Sequence, residues 1–340
     1  MKKSVFLGTL TVAGLVAGFA SADTLADVKA RGELNCGVNT GLVGFAAPDA
    51  NGNWSGFDVA LCKAVAAAVL GDASKVKFVP TTGQTRFTAL SSGEIDMLAR
   101  NSTWTYSRDT DLKLDFVGVN YYDGQGFMVR KDLGVSSAKE LDGATVCIQT
   151  GTTTELNLAD FFKANNMTYQ PIAIETNAEG EQQYLAGACD AYTTDASGLA
   201  ATRAAFADPE NHIILPEIIS KEPLGPAVRH GDNNWGDIVR WTLNALIAAE
   251  ELGITSANIE ELAKGGEGQN PEIGRLLGST DELGAMMGLD KLWAKNAIAA
   301  SGNYGEIFAA TIGESTPIGL ARGLNAQWTQ GGLLYTPPFR

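Results

Sequence analysis

From Leu34 onward, short runs of strand-forming residues alternate with stretches whose apolar residues recur at helical spacing, and this alternation is the signature of an α/β fold with a largely parallel sheet. Strands are expected at Leu34–Val38, Val76–Val79, Ile95–Leu98, Gln125–Val129, Thr145–Ile148, Ala191–Thr193 and Ala227–Arg229. Between them Phe57, Leu61, Val65, Ala68 and Val69 share a helix face, as do Phe87 with Leu90, and Leu158 with Phe161 and Phe162. These stripes read as core. A further helix follows Asn234, through Ile238, Trp241, Leu243 and Ile247.

The sharpest local signal is Thr152-Thr153-Thr154-Glu155, a capping box in which Thr152 accepts from a backbone N–H and Glu155 reaches back. A helix starting there, after the turn Gln149-Thr150-Gly151, aims N–H groups and a positive dipole end at whatever faces the turn. By itself the feature is equally an ordinary capped helix. Past Thr255 the chain carries Gly265-Gly266, Gly331-Gly332 and Pro337-Pro338, with helical pieces at Asp290–Ala300 and Tyr304–Thr311. It reads as helices and loops packed on the rest. At 340 residues the chain has room for two cores. No low-complexity linker separates them, so the boundary is expected at crossing strands, Gly124–Arg130 and Gly225–Arg229.

Lys2 and Lys3 precede the apolar run Val5–Ala20, which ends in the small-x-small site Ala20-Ser21-Ala22. That is an export signal cleaved after residue 22, too short and too glycine-rich for a membrane span of roughly 20 apolar residues. Its removal takes away two lysines and no acid, so the net charge of −14 becomes −16. Such a balance argues against nucleic acid and anionic lipid as partners. Two histidines and four cysteines without a C-x-x-C pair leave no metal motif. In an oxidising compartment the four cysteines can pair, and Cys36 with Cys62 and Cys147 with Cys189 is the expected connectivity. Each bridge closes a loop within one half of the chain and contributes roughly 3 to 4 kcal/mol.

Several segments, taken in order, resemble one family. Gly56-Phe57-Asp58-Val59-Ala60-Leu61-Cys62 is similar to a helix of the periplasmic solute-binding proteins that deliver polar amino acids to ABC transporters. Phe87 to Asp96 resembles the family's helix and short strand, and Asn101-Ser102-Thr103-Trp104-Thr105 with Arg108 its first-lobe ligand segment. Gln149 to Thr154 resembles the second-lobe turn, Thr194-Asp195 the second-lobe acidic position, and Lys221-Glu222-Pro223-Leu224-Gly225 the return crossing. Leu34 to Asn39, Arg100 to Thr105 and Tyr121 to Val129 are similar to the general L-amino-acid-binding branch nearly residue for residue. Ala60 departs from the acid often found there, and the region past about 255 has no counterpart in shorter members.

The resemblance implies a type II periplasmic-binding fold: two α/β lobes joined by two crossing strands, with a C-terminal helical extension. It implies a signal peptide (1–22), a first lobe (23–126 and 227–254), a second lobe (127–226) and an extension (255–340) packed on the first lobe. A free amino acid buries a carboxylate and an ammonium, and both must be paired. By resemblance Arg108 and the Thr152, Thr153 turn take the carboxylate, and Asp195, with Asn101 and Thr103, the ammonium. Arg86, where relatives preferring acidic amino acids also carry arginine, and Arg100 favour glutamate, aspartate and their amides. Phe45 and Trp104 either pack on the ligand or fill core, and Arg108, within Ser107-Arg108-Asp109, would otherwise read as a solvated pair. The implied protein is a monomer that needs no cofactor and hands its cargo to a permease. The competing classes are an enzyme on the same scaffold, similar to cyclohexadienyl dehydratase, and a ligand-sensing module.

Overall fold

The computed structural model describes residues 23–266 and 268–340, so the expected signal at 1–22 lies outside the described residues. Two five-stranded sheets carry the molecule. The first runs Val76–Thr81, Leu34–Asn39, Met97–Leu98, Ala227–Arg229, Leu114–Phe116, and the second Gln170–Ile174, Thr145–Gln149, Ala191–Asp195, Gln125–Arg130, His212–Ile214. In each, the first three strands are parallel and the fourth and fifth join antiparallel. The sheets are therefore mixed, less uniformly parallel than the alternation alone suggests. The fourth strand of each sheet enters directly from the crossing and so runs against its neighbours.

The crossing itself is a two-stranded antiparallel ribbon, Tyr121–Asp123 with Glu222–Leu224. The segments expected to cross, Gly124–Arg130 and Gly225–Arg229, begin where it ends and continue into the second and first sheets. Close approach explains the glycines at these junctions. A Cβ at Gly225 would lie 2.0 Å from the Gly118 carbonyl oxygen, and one at Gly124 would lie 2.8 Å from that of Ser220.

Phe57–Leu70 forms the expected helix and is buried on nearly every side, which its run of alanine, valine and leucine permits. It lies between the first sheet and the C-terminal helix Trp293–Ser301. The bond Cys36–Cys62, with Cα atoms 6.1 Å apart, ties it to the sheet, and Cys147–Cys189, at 5.6 Å, ties the second lobe's sheet to the loop before Ala191. Helix Asn233–Glu251 packs on the same core, to which Trp293, Ile298, Tyr304, Ile307 and Phe308 of the extension also belong.

The extension reaches the crossing as well. The Asn325 side chain accepts from the Tyr122 N–H at 2.7 Å and donates to its carbonyl at 3.1 Å, standing in for a neighbouring strand. Tyr304 Oη donates to the Asn120 carbonyl at 2.8 Å.

Candidate functional site

Ligand sites in open α/β sheets lie beyond the carboxyl ends of the parallel strands. Here two such edges face each other. From the first lobe come Arg86, at the start of helix Arg86–Ser92, and Arg100, Asn101 and Thr103, which follow Met97–Leu98. From the second come Gln149, Thr152, Thr153 and Thr154 after Thr145–Gln149, and Thr194 and Asp195 at the end of Ala191–Asp195. These ten residues line one narrow cavity.

The lobes touch around it. Gln84 Nε2 donates to Thr150 Oγ1 at 2.9 Å, Asn39 Nδ2 to Asn177 Oδ1 at 3.2 Å, and Asn101 Nδ2 to Asp195 Oδ2 at 3.4 Å. A Cβ on Gly83 would sit 2.6 Å from the Thr150 carbonyl oxygen, so the approach is closer than any side chain there would allow.

Three guanidinium groups crowd the first-lobe wall. Arg86 donates to Ser102 Oγ at 3.0 Å and Arg100 to the Thr81 carbonyl at 3.1 Å, yet Arg86 Nε and Arg100 Nη2 are buried and find no acceptor among the described residues. Burial pushes Arg100 down to about 10, and Arg86 is lowered by burial and then by the charges of Arg100 and Arg108. Opposite them, burial and the nearby Asp123 and Glu222 hold the Asp195 carboxyl well above the usual carboxylate range. Buried donors without acceptors on one wall and a buried acid on the other make a complement for a zwitterion.

Asn101 sits in the left-handed region at φ 25°, held there by Asp58 Oδ2, which accepts its N–H at 3.1 Å. Thr152 caps the helix Thr153–Ala164 by accepting from Glu155 N at 3.3 Å, and Glu155 reaches past it to the Gly151 N–H at 3.1 Å, one residue beyond the expected box.

Seven residues expected at the site, Arg86, Arg100, Asn101, Thr103, Thr152, Thr153 and Asp195, share the cavity. Arg108, not among the lining residues, donates to the Thr103 carbonyl at 2.8 Å and lies 4.9 Å from the Phe87 ring centre. Two aromatics go elsewhere. Phe45 is in the core against the edges of Phe57 and Tyr121, and Trp104 stacks on Phe116 and donates to Asp109 at 2.8 Å. Gln149, Thr154 and Thr194 line the cavity unanticipated, although each lies in or beside a segment flagged for its neighbours.

Glu222 was likewise missed. Its carboxylate, 1% exposed, accepts from Thr103, from Thr153 at 2.9 Å, from Asn157 at 2.7 Å and from Ser220 at 2.6 Å. Among the described residues no three histidine, cysteine or acidic side chains converge as metal ligands. His212 is buried against Tyr184 in the second lobe, and His230 pairs with Asp115.

The chain is similar to known proteins over most of its length. The family model of bacterial extracellular solute-binding proteins, family 3, matches residues 34–257. The chain is 72% identical over 340 residues, all of both chains, to the glutamate/glutamine/aspartate/asparagine-binding protein BztA of Rhodobacter capsulatus. It is 59% identical over 344 residues, again all of both, to the general L-amino acid-binding periplasmic protein AapJ of Rhizobium johnstonii. Among solved structures, a periplasmic binding protein from Brucella ovis with glutathione bound is 58% identical, with a TM-score of 0.91 over 94% of this chain and all of that one.

Proposed function

Because the chain belongs to the bacterial extracellular solute-binding proteins, family 3, we propose that its cleft captures free L-amino acids, with glutamate, aspartate, glutamine and asparagine favoured. The observation that carries the reading is the pair of unpartnered arginine donors facing Asp195 across one cavity. A ligand carboxylate supplies the acceptor that Arg86 and Arg100 lack, and an α-ammonium compensates the buried Asp195. Both half-sites meet only when the lobes are together, so the ligand stabilises the closed form. The protein is a binding protein and performs no chemistry on its cargo.

Within this reading the ligand set is Arg86, Arg100, Asn101, Thr103, Thr152, Thr153 and Asp195. Arg108 adds positive charge behind Thr103, while Trp104 and Phe45 serve packing. The lobe boundaries at 126/127 and 226/227 fall a few residues past the crossing ribbon, at the entry to each sheet. Residues 1–22 are a signal removed on export to the periplasm, where the monomer presents its closed shape to an ABC permease.

A thermal-shift panel of L-amino acids on the protein beginning at residue 23 tests this. A ligand at a hundred times its Kd adds about 2.7 kcal/mol. Acidic amino acids and their amides should raise the melting temperature most, and Arg86→Ala should cost the acids more than the amides. Glutathione belongs in the panel, because its γ-glutamyl end carries a free α-amino-acid group and a 58% identical relative holds it. No shift with any amino acid would overturn the reading.

A further inference from the structure

We propose that Glu222, which lies on the crossing ribbon and outside the cavity lining, is a positioning residue that fixes Thr103 and Thr153 as hydrogen-bond acceptors, so that the cleft demands a free α-ammonium. The proposal rests on the amino-acid reading above. A threonine hydroxyl has one proton and two lone pairs. Thr103, from the first lobe, and Thr153, from the second, both donate that proton to the same atom, Glu222 Oε2. Asn157 and Ser220 donate to Oε1, so four donors from both lobes and the crossing converge on this one buried group.

The consequence falls on the cavity. Thr103 Oγ1 and Thr153 Oγ1 are 3.3 Å apart, and since both protons are committed to Glu222 none lies between them. Two hydroxyl oxygens in that state offer only lone pairs to the ligand. With the Asp195 carboxylate on the same lining they make three acceptors for the three N–H donors of an ammonium, which itself accepts nothing. The negative charge behind the hydroxyls polarises them further in that sense. The Thr153 side chain thereby moves from the carboxylate role that resemblance implies to the ammonium role. The N–H groups of its helix start remain available to the carboxylate.

Isothermal titration of L-glutamate and of glutarate, its counterpart without the amino group, into the unaltered protein, Glu222→Gln, Thr103→Val and the double variant tests this. Glu222→Gln should weaken L-glutamate by roughly 10- to 100-fold while glutarate changes by less than about threefold. Thr103→Val should lose a similar factor and Thr103→Ser should retain most of the affinity. The double variant should lose less than the product of the two single losses, because Glu222 acts in part through the Thr103 hydroxyl. Equal losses for both ligands, or losses that multiply in the double variant, would overturn the proposal. Should Glu222→Gln fail to fold, Glu222→Asp, which withdraws the carboxylate by one methylene, takes its place in the same cycle. Absence of L-glutamate binding by the unaltered protein would instead overturn the amino-acid reading.

Discussion

Asp58 illustrates how a residue outside the cavity lining shapes it. Asparagine tolerates the left-handed conformation better than most residues, but φ 25° still needs support, and the Asp58 carboxylate provides it by accepting the Asn101 N–H. In that pose the Asn101 side chain accepts from Asn39 at 3.1 Å and donates to Asp195. Burial pushes the Asp58 carboxyl up to about 6, against the hydrogen bonds from Asn101 and Asn120 and the charge of Arg100. The folded protein therefore holds a proton that the unfolded chain releases between about pH 4 and 6, and this group's contribution falls as pH rises through that window, by about 3 kcal/mol. Asp58→Asn keeps an acceptor and removes the titration. Relative to the unaltered protein, the variant should gain stability by about that amount from pH 4 to 6.5 in urea unfolding; a difference independent of pH would contradict it. Neither Asp58 nor Glu222 could be assigned from sequence, because a lone acid in an apolar helix start or a short strand carries no periodic signal. Phe45 and Trp104 stayed ambiguous because an aromatic beside a ligand motif looks the same whether it faces the cleft or the core.

At the scale of elements, the strands and helices that build the two walls were legible, since β-branched runs and 3.6-residue stripes are local properties. The Thr152 cap was legible for the same reason. The crossing begins three residues earlier than expected on each strand, because Tyr121–Asp123 and Gln125–Arg130 are both strand-like and only Gly124 separates them. What decides which of the two spans the lobes is pairing with Glu222–Leu224, a long-range fact. Closure is an element-scale property too, and Gly83 tests it. Its backbone needs no special φ; what it needs is room, because the Thr150 carbonyl would stand 2.6 Å from an added Cβ. Gly83→Ala should hold the lobes apart, weakening every amino acid by a similar factor of about tenfold or more while the ligand-free melting temperature stays within a few degrees. Selective loss of one ligand, measured by calorimetry across glutamate, glutamine and aspartate, would place Gly83 in a specificity role instead.

Across the whole molecule the extension turns out to be structural in two ways that composition could not reveal. It completes the first core through Trp293, Ile298, Tyr304, Ile307 and Phe308, and it clasps the crossing strand through Asn325, 203 residues from Tyr122 in sequence. Burying a side chain of that size contributes about 1.5 to 3 kcal/mol, so five of them rival the 5 to 15 kcal/mol of a typical domain. A protein ending at residue 254 should therefore lose its cooperative thermal transition by circular dichroism, and a retained sharp transition would show that the extension is dispensable. The net charge of −14 says little about the ligand, because the cavity has its own local field of Arg86, Arg100 and Arg108 against Asp195. That local pairing is the central claim, and one titration tests it most directly. L-glutamate added to the protein beginning at residue 23 should bind one to one, and Asp195→Asn should weaken it by about 2 to 5 kcal/mol, the cost of removing one partner of a buried charge pair. No binding to the unaltered protein, or equal affinity in the variant, would contradict the account.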